Sequence, residues 1–154
     1  CKLYAEGFSL NSHSVLMIGN TGLGKTHLSS AIAKKVSQNG FSVMYVSYLD
    51  LVRNLQSEYF GKSDGNTMSK VLDADLLILD DLGVEFDSQF NISALYNIIN
   101  SRTNKPTIIN TNLTAAELEK KYSQRIVSRL LTLYKCLKFT GVDVRYLKLK
   151  NHEI

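Results

Sequence analysis

Eight consecutive residues, Gly19-Asn20-Thr21-Gly22-Leu23-Gly24-Lys25-Thr26, restrict this chain to very few architectures. They match the pattern G-x-x-x-x-G-K-[ST] in full. Glycines in such a run let successive backbone N–H groups turn inward on phosphate oxygens, and a following helix adds the partial positive charge of its N-terminus. The pattern carries that meaning only between a strand and a helix. Val15-Leu16-Met17-Ile18, just before it, is an apolar run short enough for a buried strand. From Lys25 to Gln38, just after it, Leu28, Ala31, Ile32 and Val36 recur at helical spacing, and Asn39-Gly40 supplies the stop. In this setting Lys25 is expected to reach the β- and γ-phosphates of a nucleotide and the Thr26 hydroxyl to ligate Mg2+. His27 falls within the same binding turn; with Ala31 at i+4 it has no partner for a metal site.

The rest of the chain repeats the alternation of strand and helix. Val43 to Val46 reads as a second strand, and Ser47 caps a helix carrying Leu49, Leu51, Val52, Leu55 and Tyr59. Gly61 to Asn66 is a turn and Met68 to Leu72 a further helical piece. Leu76 to Leu79 is a third strand ending in Asp80-Asp81, and Ile92, Leu95, Tyr96, Ile98 and Ile99 return to helical spacing. Pro106 opens a fourth strand, Thr107 to Asn110. Thr114 caps a helix beginning Ala115-Ala116-Glu117-Leu118, and Ile126, Val127, Leu130 and Leu131 mark another. Cys136 to Thr140 and Val144 to Leu149 close the chain as strands, with Cys136 expected to be buried. Segment 1–12 reads as an opening helix or loop whose Tyr4 and Phe8 are expected to pack on the sheet edge rather than flank an adenine. Nearly apolar strands alternating with helices indicate an α/β domain with a parallel sheet covered on both faces.

Size and composition narrow the class. With 154 residues the chain is expected to be one domain, and 44% hydrophobic with 21% charged residues excludes a disordered tail, a collagen-like repeat or a coiled coil. The net charge of +4 permits nucleic-acid contact without arguing for it. Cys1 and Cys136 cannot build a disulfide framework and lack metal spacing with His13, His27 and His152, so a reducing, cytoplasmic setting is expected. No apolar run approaches the ~20 residues of a membrane span. The chain begins at Cys1 rather than Met, and is expected to be the C-terminal part of a longer protein.

A phosphate loop needs an acidic partner at the end of another strand. Asp80 fits, placed to hold the Mg2+ shell, and Asp81 faces differently, where it could orient an attacking water as general base. Glu85, in Asp81-Leu82-Gly83-Val84-Glu85, is the competing candidate for that base.

Three blocks together, Gly-Asn-Thr-Gly-Leu-Gly-Lys-Thr-His-Leu, Leu-Leu-Ile-Leu-Asp-Asp-Leu-Gly-Val-Glu and Pro-Thr-Ile-Ile-Asn-Thr-Asn-Leu, resemble the ATPase domain of DnaC/DnaI-type replicative helicase loaders, with the IstB-type transposition ATPases as close relatives. The resemblance spans roughly Val15 to Leu149 and implies an AAA+ core: a three-layer P-loop NTPase with a five-stranded parallel sheet, order 5-1-4-3-2, and little or no helical lid. It implies that Asn112 is the sensor-1 residue beside the γ-phosphate, with Thr111 its neighbour. It makes Arg125 or Arg129 an arginine finger acting on the next subunit, and Arg145 the sensor-2 arginine. The two fingers, four residues apart, share one helical face, as a solvated basic face would too.

From this follow the functional expectations. The chain would be a Mg-dependent ATPase, weak and monomeric in isolation because its fingers act only in a head-to-tail oligomer. Its partners would be single-stranded DNA and a hexameric replicative helicase, the latter gripped by an N-terminal region absent from these residues. Within Ser47–Leu72 the resemblance places a DNA-facing element, where Arg53, Lys62, Lys70, Tyr59 and Phe60 offer backbone neutralisation and base stacking. Each of those residues taken singly reads rather as core packing for the aromatics and solvation for the cations. Two other readings stand beside the loader: an IstB-like transposition helper, and a nucleotide-gated assembly switch with negligible hydrolysis.

Overall fold

The computed structural model describes residues 1–145. Its elements run α1 (Lys2–Glu6), β1 (Ser14–Gly19), α2 (Lys25–Gln38), β2 (Val43–Ser47), α3 (Tyr48–Tyr59), α4 (Thr67–Asp73), β3 (Leu76–Leu82), α5 (Gln89–Ser101), β4 (Thr107–Thr111), α6 (Ala115–Tyr122), α7 (Gln124–Leu133) and β5 (Tyr134–Phe139). The strands form one sheet in the order β2-β3-β4-β1-β5, all neighbours parallel. Read from the other edge this is 5-1-4-3-2, the expected order.

Alternation along the central strands divides the core in two, because successive side chains of a strand leave opposite faces. Val15 and Met17 of β1, Leu76 and Ile78 of β3, and Ile108 of β4 pack beneath α1 and α2 with Ala5, Phe8, Ile32 and Val36. Leu16, Leu77, Leu79, Leu82 and Ile109 enter the opposite layer with Tyr48, Leu51, Leu95, Ile98, Leu118, Ile126 and Leu130. Phe8 and Tyr4 lie on the first face as expected, Tyr4 donating to the His13 carbonyl at 2.9 Å. Helix starts follow their caps: Ser47 accepts from the Asp50 N–H, and Thr114 with Glu117 forms a reciprocal capping box.

Three expectations are corrected. Cys136 is exposed, because β5 is the outermost strand and pairs only with β1. Tyr59 and Phe60 are 75% and 67% exposed rather than in the core: they end α3 and stand at 5.3 Å from each other, with Tyr59 also 5.9 Å from Phe90 of α5. The strand expected over Val144–Leu149 is not one where it can be seen, since Val144 and Arg145 are helical; residues 146–149 lie outside the described residues.

Candidate active site

β1 delivers the phosphate loop to the carboxyl end of the sheet. Gly19 closes the strand under Phe139 of β5, where a Cβ would stand 2.4 Å from the Phe139 carbonyl oxygen. Gly24 caps α2 at φ +89, a left-handed conformation that glycine adopts without penalty. Lys25 is 6% exposed and folds back on its own loop, donating to the carbonyls of Gly19 at 2.5 Å and Asn20 at 2.8 Å. Burial pushes its ammonium below the usual lysine range, while the charges of Asp81 and Asp80 act the other way.

Asp80 meets the loop from β3. Thr26 Oγ1 donates to Asp80 Oδ1 at 3.2 Å, and Asp80 is 6% exposed. The same carboxylate accepts from Tyr45 Oη of β2 at 2.6 Å, from Asn110 Nδ2 of β4 at 3.0 Å and from the Asp81 N–H at 3.0 Å. Asn110 is itself buried and held by Ser29 of α2 at 2.9 Å. Thr26 and Asp80 thus present two oxygen donors side by side and leave other positions open, the donor set that suits a hard cation shared with a nucleotide's phosphates.

The backbone breaks register at this point. Between Leu79 and Leu82 β3 advances three residues while β4 advances two, from Ile109 to Thr111, so Asp80-Asp81 form a bulge. Asp81 takes φ +50 there. One side chain turns inward to Thr26, and the next opens onto the cleft. Burial raises the Asp81 carboxyl above the ordinary carboxylate range, the charge of Asp80 adds to the rise and Lys25 opposes it.

A cleft of about 510 Å³ lies over this floor, lined by Thr21, Gly22, Gly24, Lys25, Thr26, His27, Asp81, Asn112, Val144 and Arg145. Asn112, just past β4, donates its amide to Thr21 Oγ1 at 3.0 Å and so stands against the loop. Its neighbour Thr111 is buried and spends its hydroxyl on the Leu82 carbonyl at 2.7 Å. Asn20 and Leu23 complete the loop between β1 and α2.

Glu85, the other candidate for the base, stands apart from the cleft. It is 2% exposed, accepts from the Gly83 N–H at 3.0 Å and from the Tyr122 hydroxyl, and does not line the cleft. Arg125 and Arg129 also lie outside the cleft, on α7, where their guanidinium carbons stand 4.8 and 5.4 Å from the centre of the Tyr96 ring.

Sequence reasoning missed Asn110, Tyr45 and Ser29. Their signal was a polar group in an otherwise apolar strand or helix face: Thr-Ile-Ile-Asn in the buried β4, Val-Met-Tyr-Val in the half-buried β2. A polar atom in such a place requires a partner.

The family profile of the IstB-like ATP binding proteins matches residues 2–139. The chain belongs to this family. Among its relatives, the replicative helicase loader DnaC of Buchnera aphidicola subsp. Baizongia pistaciae (strain Bp) is 29% identical over 134 residues, 84% of this chain and 54% of the relative. The replicative helicase loader DnaC of Escherichia coli (strain K12) is 28% identical over 133 residues, with the same shares. The chain therefore spans about half the length of the curated relatives it matches. Among solved structures, the DnaC helicase loader superposes with a TM-score of 0.80 at 26% identity, over 90% of this chain and 85% of that one. DnaA from Aquifex aeolicus, with AMPPCP bound, gives a TM-score of 0.80 at 22% identity over 99% of this chain and 50% of that one, a likeness of fold. An IstB-like ATP-binding domain with this sheet order is an AAA+ core.

Proposed function

We propose that this IstB-like domain is the Mg2+-dependent ATPase of a replicative helicase loader. The observation that carries the reading is the meeting of Thr26 and Asp80 at 3.2 Å beside a complete phosphate loop, in a chain whose curated relatives are named as helicase loaders. In this reading the loop N–H groups and Lys25 bind the phosphates, Lys25 exchanging the carbonyls of Gly19 and Asn20 for phosphate oxygens. Thr26 and Asp80 hold the metal, which when bound neutralises charge on the β- and γ-phosphates. Asp81 orients the attacking water and takes its proton, and Asn112 holds the γ-phosphate side of the cleft.

Arg125 and Arg129 do not line their own cleft, which supports their action on a neighbouring subunit in a head-to-tail assembly. Turnover is then weak in the isolated chain. Single-stranded DNA has a candidate platform in the exposed rings of Tyr59 and Phe60, the former beside Phe90, with Arg53 of α3, Lys62 of the α3–α4 connection and Lys70 of α4 also exposed. Contact with the helicase we assign to sequence outside residues 1–154, in keeping with a match that covers 54% of the relative. No described helix is long and apolar enough to cross a membrane.

The test is ATP turnover per subunit across protein concentration, with and without single-stranded DNA. A rate that rises with concentration and DNA supports the loader ATPase. A flat rate at zero alongside tight ATP binding would replace it with an assembly switch. The family's name favours a second reading, a transposition helper; capture of a replicative helicase against capture of a transposase by the intact protein separates the two.

A further inference from the structure

After β5 the chain turns at Gly141, φ +140, and comes back across the phosphate loop. The Val144 N–H donates to the Gly22 carbonyl at 3.0 Å. Asp143 rests on the same glycine so closely that a Cβ at position 22 would fall 2.0 Å from its Cγ. Its carboxylate is taken up by Arg145: Nη2 lies 2.9 Å from Oδ2, Nε 3.1 Å from Oδ1, and the Arg145 backbone N–H 2.8 Å from Oδ1. Val144 and Arg145 line the cleft with Lys25, Thr26 and Asn112. A negative charge therefore sits on a loop whose N–H groups are arranged for anions, and it occupies the arginine at the rim.

We infer that Asp143 acts as a resident anion that holds Arg145 at the rim until a γ-phosphate takes it, and so sets how strongly the site prefers ATP to ADP. The inference rests on the reading of the cleft as an ATP site whose γ-phosphate Arg145 reaches. ATP binding then exchanges one anion for another on the guanidinium and leaves Asp143 facing phosphates of like charge. ADP, lacking the γ-phosphate, leaves the Asp143–Arg145 pair in place. Asp143 thus opposes ATP more than ADP. The pair is local and open to solvent, with the Asp143 and Arg145 side chains 21% and 64% exposed, so its removal is worth no more than an exposed ion pair, about five-fold in affinity.

The test is equilibrium binding of Mg·ATP and Mg·ADP to the wild-type protein, Asp143→Asn, Arg145→Ala and the double variant. Asn retains an oxygen for the Arg145 N–H, so the turn is preserved. Asp143→Asn should tighten ATP about five-fold and ADP less than two-fold, and in the Arg145→Ala background the extra gain for ATP should vanish. Equal tightening of both nucleotides, with or without Arg145, would reduce Asp143 to simple repulsion and overturn the inference. Unchanged or weaker ATP binding by Asp143→Asn would overturn it as well. If the wild-type protein binds ATP no better than Lys25→Ala, the reading of the cleft falls first and this inference with it.

Discussion

Asp80 draws four donors from four elements: Thr26 of α2, Tyr45 of β2, Asn110 of β4 and its own neighbour's N–H in β3. Its orientation is over-determined, so a single lost partner leaves it in place. Lys25→Ala removes the cation that the loop carbonyls now hold, and ATP affinity should fall at least ~100-fold in a titration, the scale of a lost charge-assisted contact of about 3 kcal/mol. Asp81→Asn keeps the volume and the bulge but no longer accepts a proton; ATP affinity should stand while turnover drops about 100-fold or more in single-turnover hydrolysis. Undiminished turnover would remove Asp81 from the base role. Glu85→Ala should act differently, through the fold: it strands the Gly83 N–H and the Tyr122 hydroxyl, and urea unfolding should show a loss of about 1–3 kcal/mol.

At the scale of elements, joints matter more than the elements themselves. Arg102, just past α5, is fully buried; its guanidinium donates to the carbonyls of Val71 and Ala74 at 2.8 Å, to Pro106 at 2.8 Å and to Thr107 Oγ1 at 3.0 Å. It thus ties the C-terminal end of α4 to the start of β4. Burial lowers its pKa to about 10, still well charged at neutral pH. Arg102→Met keeps the stem and strips the donors, and it should cost about 3 kcal/mol in urea unfolding, from carbonyls left unsatisfied in the core. The α3–α4 connection is a second joint. Its Glu58 carboxylate accepts from the Thr67 N–H at 3.2 Å and caps α4, leaving Tyr59 and Phe60 exposed, Tyr59 against Phe90.

At the scale of the whole molecule, α7 carries Arg125 and Arg129 on a face that its own cleft does not use, and both cations sit over Tyr96. Replacing either with Ala should leave ATP affinity of the monomer unchanged and lower turnover of the assembled protein about 1,000-fold for the residue that acts as finger. Adding Lys25→Ala subunits, which carry intact arginines, should restore part of that turnover. A loss of affinity in the monomer would instead put the arginine in its own subunit's site.

What could be read along the chain was whatever is encoded locally. The phosphate loop, the helix caps and the apolar strand runs depend on neighbours within a few residues, and they led to a parallel α/β core with Lys25, Thr26 and Asp80 at its edge. The order of strands came through resemblance, since no local spacing states which strand lies beside which. Burial is different in kind. Cys136 and Leu16 look alike as strand residues, yet one is on an outer strand and the other is fully buried between layers. Asp81 and Glu85 looked like equal candidates for one role until the bulge turned Asp81 into the cleft and Tyr122, 37 residues further on, enclosed Glu85. Asn110 and Arg145 likewise gain their meaning from Asp80 and Asp143, through contacts that exist only once the chain has closed on itself. Motif and period are set by adjacent residues; which polar side chain is covered, and by what, is set by the packing of elements far apart in the chain.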